Sequence, residues 1–489
     1  MSNFTPTDEQ LEIVSAARDA TDNLLISALA GAAKTSTLVL IAEALTKEPI
    51  LCLAFNKKIA DEMVKRLPTH VMSKTINSLG HGIWSNATGK RLVVDTKKNY
   101  TLTKEAFDTL RKGERADVDF NETQKGVVRA KSLGYIPPGH VYANRSLITS
   151  EAFAETFEEE PSTLQLQLIN TVLAKGIALA YQGQIDFDDQ VYCSTLLGGT
   201  FPRFPLVLID EAQDLSLLNH AFLSKLVSKR IIAVGDRNQA IYAFRSALTN
   251  SMDELKRRFS MVEKTLTISF RCPRRVVEEA QAIVPEMRYP DWAIEGRVSH
   301  LTSWTQADLP EGTAVVCRNN APLFKLAMRL LRQGRGCKIV GSDVGPQLVR
   351  ALKGLGDESL SREATLAAIA KWEAERQKKS RAKASTEDKA NSLRVFAEFG
   401  QTLGEALAYA QHLFAQEGPI LLMSGHKAKG GEWDTVVFLD SWRIPSQWAE
   451  GDEELQQETN IAYVITTRAK QELIYANLDD FQEEREAAE

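Results

Sequence analysis

Ala28-Leu29-Ala30-Gly31-Ala32-Ala33-Lys34-Thr35 follows the apolar run Leu24-Leu25-Ile26-Ser27 and leads into an apolar helical pattern from Thr35 to Leu45. Its spacing and its Lys-Thr end match GxxxxGK[ST], with alanine (Ala28, Ala33) at both end positions where glycine is usual. Such a loop binds phosphate because a tight turn aims backbone N–H groups and a helix N-terminus at one point. On this reading Ala30, Gly31, Ala32, Ala33 and Ser36 line the phosphates of a nucleotide. Lys34 reaches its β- and γ-phosphates, and the Thr35 hydroxyl ligates Mg2+. A small-residue strand-to-helix connection with an incidental lysine would look similar, and Ala33 costs freedom at a glycine position.

A second motif weighs against that plainer reading. Leu206-Val207-Leu208-Ile209 runs into Asp210-Glu211-Ala212-Gln213-Asp214. Two carboxylates at the end of a buried strand place one on a metal and the next beside an attacking water. Asp210 is the candidate Mg2+ ligand, and Glu211 the candidate general base. Acidic residues also suit a helix N-terminus for dipole reasons alone. Both motifs, in this order and each at a strand's carboxyl end, fit a ligand crevice better.

Further β-rich runs stand at Ile50–Ala54, Ile231–Val234, Thr313–Cys317, Leu421–Met423 and Val436–Leu439. Strands alternating with helices predict an α/β fold with parallel sheets covered on both faces. Two stretches, about 85–180 and 345–415, read as helical instead. The second holds the charged run Lys371 to Lys389, read as a solvated helix face rather than a nucleic-acid contact. The 489 residues suggest roughly three domains. With 44% hydrophobic and 25% charged residues, the composition excludes a disordered or fibrous chain. A net charge of −5 requires any nucleic-acid contact to come from local basic surface. Cys52, Cys193, Cys272, Cys317 and Cys337 form no CxxC pair, so reduced core thiols are expected, without a disulfide framework or zinc site. No apolar run approaches 18 residues and no leader is evident, which predicts a soluble, cytoplasmic protein with no membrane partner.

Further segments carry a family likeness. Phe4-Thr5-Pro6-Thr7-Asp8-Glu9-Gln10 is similar to a glutamine motif, Ala54-Phe55-Asn56-Lys57 to a motif Ia, and Thr75-Ile76-Asn77-Ser78 to a motif Ib. Asp186-Phe187-Asp188-Asp189 stands just before the Asp210 strand. Val234-Gly235-Asp236-Arg237-Asn238-Gln239-Ala240-Ile241-Tyr242-Ala243-Phe244-Arg245 closely matches a motif III, and Thr267-Ile268-Ser269-Phe270-Arg271-Cys272-Pro273 a motif IV. Val316-Cys317-Arg318-Asn319-Asn320 resembles a strand and polar turn of a second motor domain. Ser424-Gly425-His426-Lys427-Ala428-Lys429-Gly430-Gly431-Glu432-Trp433 resembles a motif V, and Asn460 to Lys470 a motif VI. With these segments in this order the chain resembles the UvrD/Rep-like branch of superfamily 1 DNA helicases.

That resemblance implies two RecA-like parallel-sheet motor domains, 1–84 with 181–275 and 276–344 with 416–489. It also implies helical insertions at 85–180 and, shorter than in larger members, at 345–415. It implies ATP and Mg2+ as cofactors. Gln10 would read the adenine edge, Phe270 would stack on it in place of the usual tyrosine, and Glu432 would meet the ribose. Gln239 would sense the γ-phosphate, with Arg271 and Arg468 as arginine fingers, although either arginine alone would read as an ion-pair partner. Single-stranded DNA and single–double-strand junctions would meet Phe55, Asn56, Lys57, Asn77, Tyr242, Phe244, Arg245, Asn319, His426 and Lys429. An aromatic ring such as Phe244 contributes about 1–3 kcal/mol per stacked base without reading sequence; standing alone, it would read as a core aromatic. Little sequence follows Arg468, so no fused nuclease domain is expected.

The implied activity is single-strand-stimulated ATP hydrolysis driving 3′–5′ translocation and duplex unwinding. Neither lobe would hold every catalytic group, so hydrolysis would need both. Two alternatives stay open: a translocase that strips proteins from DNA and unwinds little, and an ATP-gated subunit of a larger DNA-processing complex. Protein partners in replication, repair or defence, and residence on the nucleoid, belong to the same expectation.

Overall fold

The computed structural model describes residues 5–46, 48–54, 56–241, 250–341, 344–378, 380 and 382–483. The chain divides into two compact units: Met1–Ala28 with Ala33–Leu266, and Leu29–Ala32 with Thr267–Glu489.

The first unit holds β1 (Leu24–Ala28), β2 (Ile50–Ala54), β3 (Val71–Thr75), β4 (Val93–Val94), β5 (Gln184–Ile185), β6 (Phe204–Ile209), β7 (Val227–Gly235) and β8 (Val262–Leu266). Six of them form one sheet in the order β3-β2-β6-β7-β1-β8, parallel at every described pairing. All five residues of β2 are buried, as expected of an inner strand covered on both faces. Each fully buried Leu or Ile there contributes about 1.5–3 kcal/mol. The expected run Leu206–Ile209 begins two residues earlier, at Phe204. The helix expected from Thr35 spans Lys34–Ala44 and buries Thr37, Leu38, Ile41 and Ala42, one stripe at helical spacing.

Residues 85–180 are mainly helical. Helices Lys98–Asp108, Phe120–Leu133, Ser150–Glu155 and Thr163–Tyr181 enclose a separate core of Leu102, Val127, Phe153, Ile169 and Val172. Lys98 and Lys131 from two of these helices reach the Asp186–Asp189 turn. There Lys98 pairs with Asp189 at 2.6 Å, and Lys131 with Asp186 at 2.6 Å and Asp189 at 2.7 Å, all four side chains being nearly or fully buried.

The second unit contains β9 (Arg297–Leu301), β10 (Ala314–Cys317), β11 (Cys337–Ile339), β12 (Ile420–Ser424), β13 (Trp433–Leu439) and β14 (Ala469–Ala476). They form a second parallel sheet, β11-β12-β10-β13-β14-β9. Each unit is therefore α/β around a six-stranded parallel sheet, and β4 and β5 pair separately in the first unit. Helices Val344–Lys353, Arg362–Gln377, Lys383–Phe399 and Leu403–Phe414 fill the next stretch. They share one core with this sheet, in which Leu348, Ile369, Leu393 and Phe396 join Val315, Cys317 and Leu422. The charged run falls across two of these helices and is not uniformly solvated. Asp388 accepts from the Asn320 backbone N–H at 2.9 Å and from Asn320 Nδ2 at 2.8 Å, closing the start of helix Asn320–Arg332. All five cysteines are buried free thiols.

Candidate nucleotide and nucleic-acid site

Three loops leave the carboxyl edge of the first sheet from the neighbouring strands β1, β7 and β6. The loop after β1 turns at Gly31, φ +74°, and again at Ala33, φ 54° and ψ 40°. Ala33 thus occupies the left-handed region without being glycine, at a cost of about 1–2 kcal/mol. It offers no side-chain cap to helix Lys34–Ala44, so that helix start keeps the donor character that suits an anion. Thr35 Oγ1 donates to Asp210 Oδ2 at 3.0 Å, and Lys34 Nζ stands 3.7 Å from Glu211 Oε2. Ser36 accepts from Arg66 at 2.8 Å.

Asp210 is 4% exposed. Burial, then the adjacent Glu211, push its carboxyl up to about 6, against the pull of Lys34. A crowded pair of acids with one nearby lysine calls for a further cation. One hydroxyl and one buried carboxylate are hard oxygen donors, suited to Mg2+ that completes its shell with phosphate oxygens and water. The residues present therefore fit the ion and the triphosphate. Gln10 is buried, accepts from Thr7 N at 3.0 Å and donates to Thr37 Oγ1 at 2.9 Å. Gln239 donates to Asp236 Oδ2 at 2.7 Å.

Within the second unit, Ala30 N–H donates to the Tyr463 hydroxyl at 2.8 Å, and Phe270 N–H to Gly31 O at 2.9 Å. A Cβ on Gly31 would meet Ser269 Oγ at 2.6 Å and Arg271 Cβ at 2.7 Å, so this approach needs glycine. The Phe270 ring lies 6.0 Å from that of Trp292. Arg271 pairs with Glu432 at 2.6 Å, while its buried Nε and Nη1 have no hydrogen-bond partner among the described residues. Arg468 is 1% exposed; its Nε donates to Val464 O at 2.9 Å and its Nη1 to Gly431 O at 3.3 Å. Burial, then Arg271, lower its guanidinium to about 10.

Of the residues assigned to nucleic acid, Asn56 is exposed and caps helix Lys57–Arg66 by accepting from Ile59 N at 2.9 Å. Lys57 is exposed on its first turn. Asn77 donates to Phe187 O at 2.9 Å, and the Phe187 side chain stands out into solvent beside it. Asn319 follows β10 and His426 sits in helix Gly425–Ala428, with Lys429 closing it. Phe55, Tyr242, Phe244 and Arg245 lie outside the described residues.

The family model for the UvrD/REP helicase N-terminal domain matches residues 7–260, more than half of the chain. The chain belongs to the UvrD/REP helicase family. Among its relatives, F-box DNA helicase protein 1 of Schizosaccharomyces pombe is 25% identical over 518 residues, covering 96% of this chain and 57% of the relative. F-box DNA helicase 1 of Gallus gallus is 24% identical over 97% of this chain and 49% of its own length. A probable DNA helicase II homolog of Mycoplasma genitalium is 25% identical over 48% of this chain and 36% of its own length. The chain spans between 36% and 57% of the length of these relatives.

For this UvrD/REP chain the first unit brings Lys34, Thr35, Asp210 and Glu211 together, with Gln239 in the neighbouring loop. Gln213 and Asp236, which the motif patterns carried without a role, sit between the two groups. Their signal was position alone: each lies within three residues of a residue already singled out. Among the described residues no helix is long and apolar enough to cross a membrane.

Proposed function

We propose that this chain is an ATP-driven DNA helicase motor, hydrolysing ATP on single-stranded DNA and moving 3′–5′ to unwind duplex. The observation that carries this reading is the joining of Thr35 to Asp210 and of Lys34 to Glu211, in a chain of the UvrD/REP family. The motor domains are 1–84 with 181–275 and 276–344 with 416–489, and the insertions are 85–180 and 345–415.

Lys34 neutralises charge on the β- and γ-phosphates, while Thr35 and Asp210 hold the metal ion. Bound Mg2+ supplies charge neutralisation on the transferring phosphoryl group. Glu211 accepts the proton of the attacking water, whose oxygen bonds to the γ-phosphorus as the bond to the β–γ bridging oxygen breaks. Gln239 senses the γ-phosphate. Arg271 and Arg468 stabilise the developing charge, work for which an arginine is typically worth about 10³–10⁵ in rate. Gln10, Phe270 and Glu432 hold the nucleoside. Asn56, Lys57, Asn77, Asn319, His426 and Lys429, with Phe55, Tyr242, Phe244 and Arg245, contact the strand.

A second reading, a translocase that displaces proteins and unwinds little, draws on the helices of 344–414. Among the described residues, their buried side chains join the sheet's core. A strand-displacement assay beside a protein-displacement assay separates the two. Strand separation at rates matching ATP turnover supports the helicase, and protein removal without strand separation supports the translocase.

A further inference from the structure

Gln213 is 2% exposed, and its amide is used at both ends. Nε2 donates to Glu211 Oε2 at 2.6 Å, and Oε1 accepts the backbone N–H of Asp236 at 3.0 Å. Asp236, also buried, accepts from Asn238 N at 3.0 Å through one oxygen and from Gln239 Nε2 at 2.7 Å through the other. An unbroken run of hydrogen bonds therefore connects Glu211 after β6, through Gln213 and Asp236, to Gln239 after β7.

The side chain's route explains a neighbour. Gly235, at the end of β7, has Gln213 lying directly over it. A Cβ there would stand 2.6 Å from Gln213 Oε1, 3.1 Å from Gln213 N and 2.9 Å from Met252 Sδ. The backbone must be bare at 235 for the amide to cross to the Asp236 N–H.

The chemistry restricts the choice of residue. Glu211 sits in the left-handed region, φ 54°, and Gln213 Nε2 donates to the same Oε2 that Lys34 Nζ approaches at 3.7 Å. Gln213 supplies a donor to the Glu211 carboxylate and an acceptor to the Asp236 N–H. Among side chains of this length, only an uncharged amide supplies both at once. A carboxylate at 213 would keep the acceptor but face Glu211 and Asp214 with like charge. A leucine would take the acceptor from the buried Asp236 N–H and one donor from the half-buried Glu211 carboxylate.

We propose that Gln213 is a positioning residue that orients the Glu211 carboxylate and ties it to the Gln239 loop, so that Gln239's response to the γ-phosphate is transmitted to the group that activates water. The inference rests on the ATPase reading above.

It is tested on the full-length chain by steady-state ATPase assays, with single-turnover assays for the slow variants. Gln213→Leu is expected to lower kcat by about ten- to hundred-fold with KM for ATP within about two-fold, because misplacing a catalytic group costs on this order. Gly235→Ala, which displaces the amide without touching Glu211, is expected to do the same. In a Glu211→Gln background, Gln213→Leu is expected to cost less than about two-fold more, since residues acting through one another are not additive. Equal losses in both backgrounds, a change in KM alone, or an unaltered kcat would each overturn the proposal. Wild-type chain that does not hydrolyse ATP would instead overturn the ATPase reading.

Discussion

Thr35 Oγ1 donates to Asp210 Oδ2 at 3.0 Å, joining the first turn after the phosphate loop to a strand tip 175 residues further along the chain. This pair is the proposed metal seat. Thr35→Val keeps the shape and loses the hydroxyl. It is expected to lower kcat for ATP hydrolysis by about 10²–10³, the scale of losing one preorganised electrostatic contact. A Mg2+ titration of the rate should shift to higher concentration in the same variant. Unchanged kcat and unchanged Mg2+ dependence would remove Thr35 from the site.

Ala33 holds φ 54° and ψ 40° without a glycine's freedom. The loop geometry expected of glycine is kept, so the alanine is tolerated at a cost in backbone strain. Ala33→Gly is expected to stabilise the chain by up to about 1 kcal/mol, the relief of strain exceeding the added freedom of the unfolded chain. Denaturant melts of the two proteins at equal concentration measure the difference. ATP turnover in the variant should match or exceed that of the parent.

The sequence was most legible where burial is continuous. β2 and β10 are buried at every residue, and the runs Ile50–Ala54 and Thr313–Cys317 located them to within one residue. The edge strands β3, β8, β9 and β11 escaped notice because each faces solvent in part and mixes polar with apolar residues, as in Val262-Glu-Lys-Thr-Leu266. Lys34, Thr35, Asp210 and Glu211 were readable because local spacing sets their chemistry. The roles of Gln213 and Asp236 were not, since they depend on two strand tips meeting through a side chain. The charged run Lys371 to Lys389 read as solvated because composition cannot tell that Asp388 would close a helix 68 residues away.

The two lysines and two aspartates under the 98–189 helices form a buried ionic cluster. Burial alone would raise the Asp189 carboxyl, yet Lys131 and Lys98 hold it below its ordinary value. Asp189→Asn leaves two buried ammonium groups short of charge. It is expected to destabilise the first unit by about 3–5 kcal/mol in urea unfolding, the cost of breaking a buried pair from one side. A loss under about 1 kcal/mol would mean that the cluster is solvated in solution.

His220 is fully buried, with Nε2 2.9 Å from Ser251 Oγ, which donates to Ala212 O at 2.8 Å. Burial, then Arg258, depress the imidazole to about 4, against the pull of Glu254. Because the folded value lies below the unfolded 6.5, the unfolded chain binds the proton more readily between them. The stability tied to neutral His220 is present above about pH 6.5 and is lost as the pH falls through that value toward 4, amounting to roughly 3 kcal/mol. Urea unfolding of wild type and His220→Leu across this window should show the wild-type slope flattened in the variant. Parallel slopes would contradict the assignment.

The most direct test of the motor reading is the rate of ATP hydrolysis with and without single-stranded DNA, for wild type, Lys34→Ala and Arg468→Ala. Strong stimulation by DNA is expected in wild type and a fall of at least about 10³ in both variants, with DNA binding retained in Lys34→Ala. Full turnover in Lys34→Ala, or wild-type turnover indifferent to DNA, would contradict that reading.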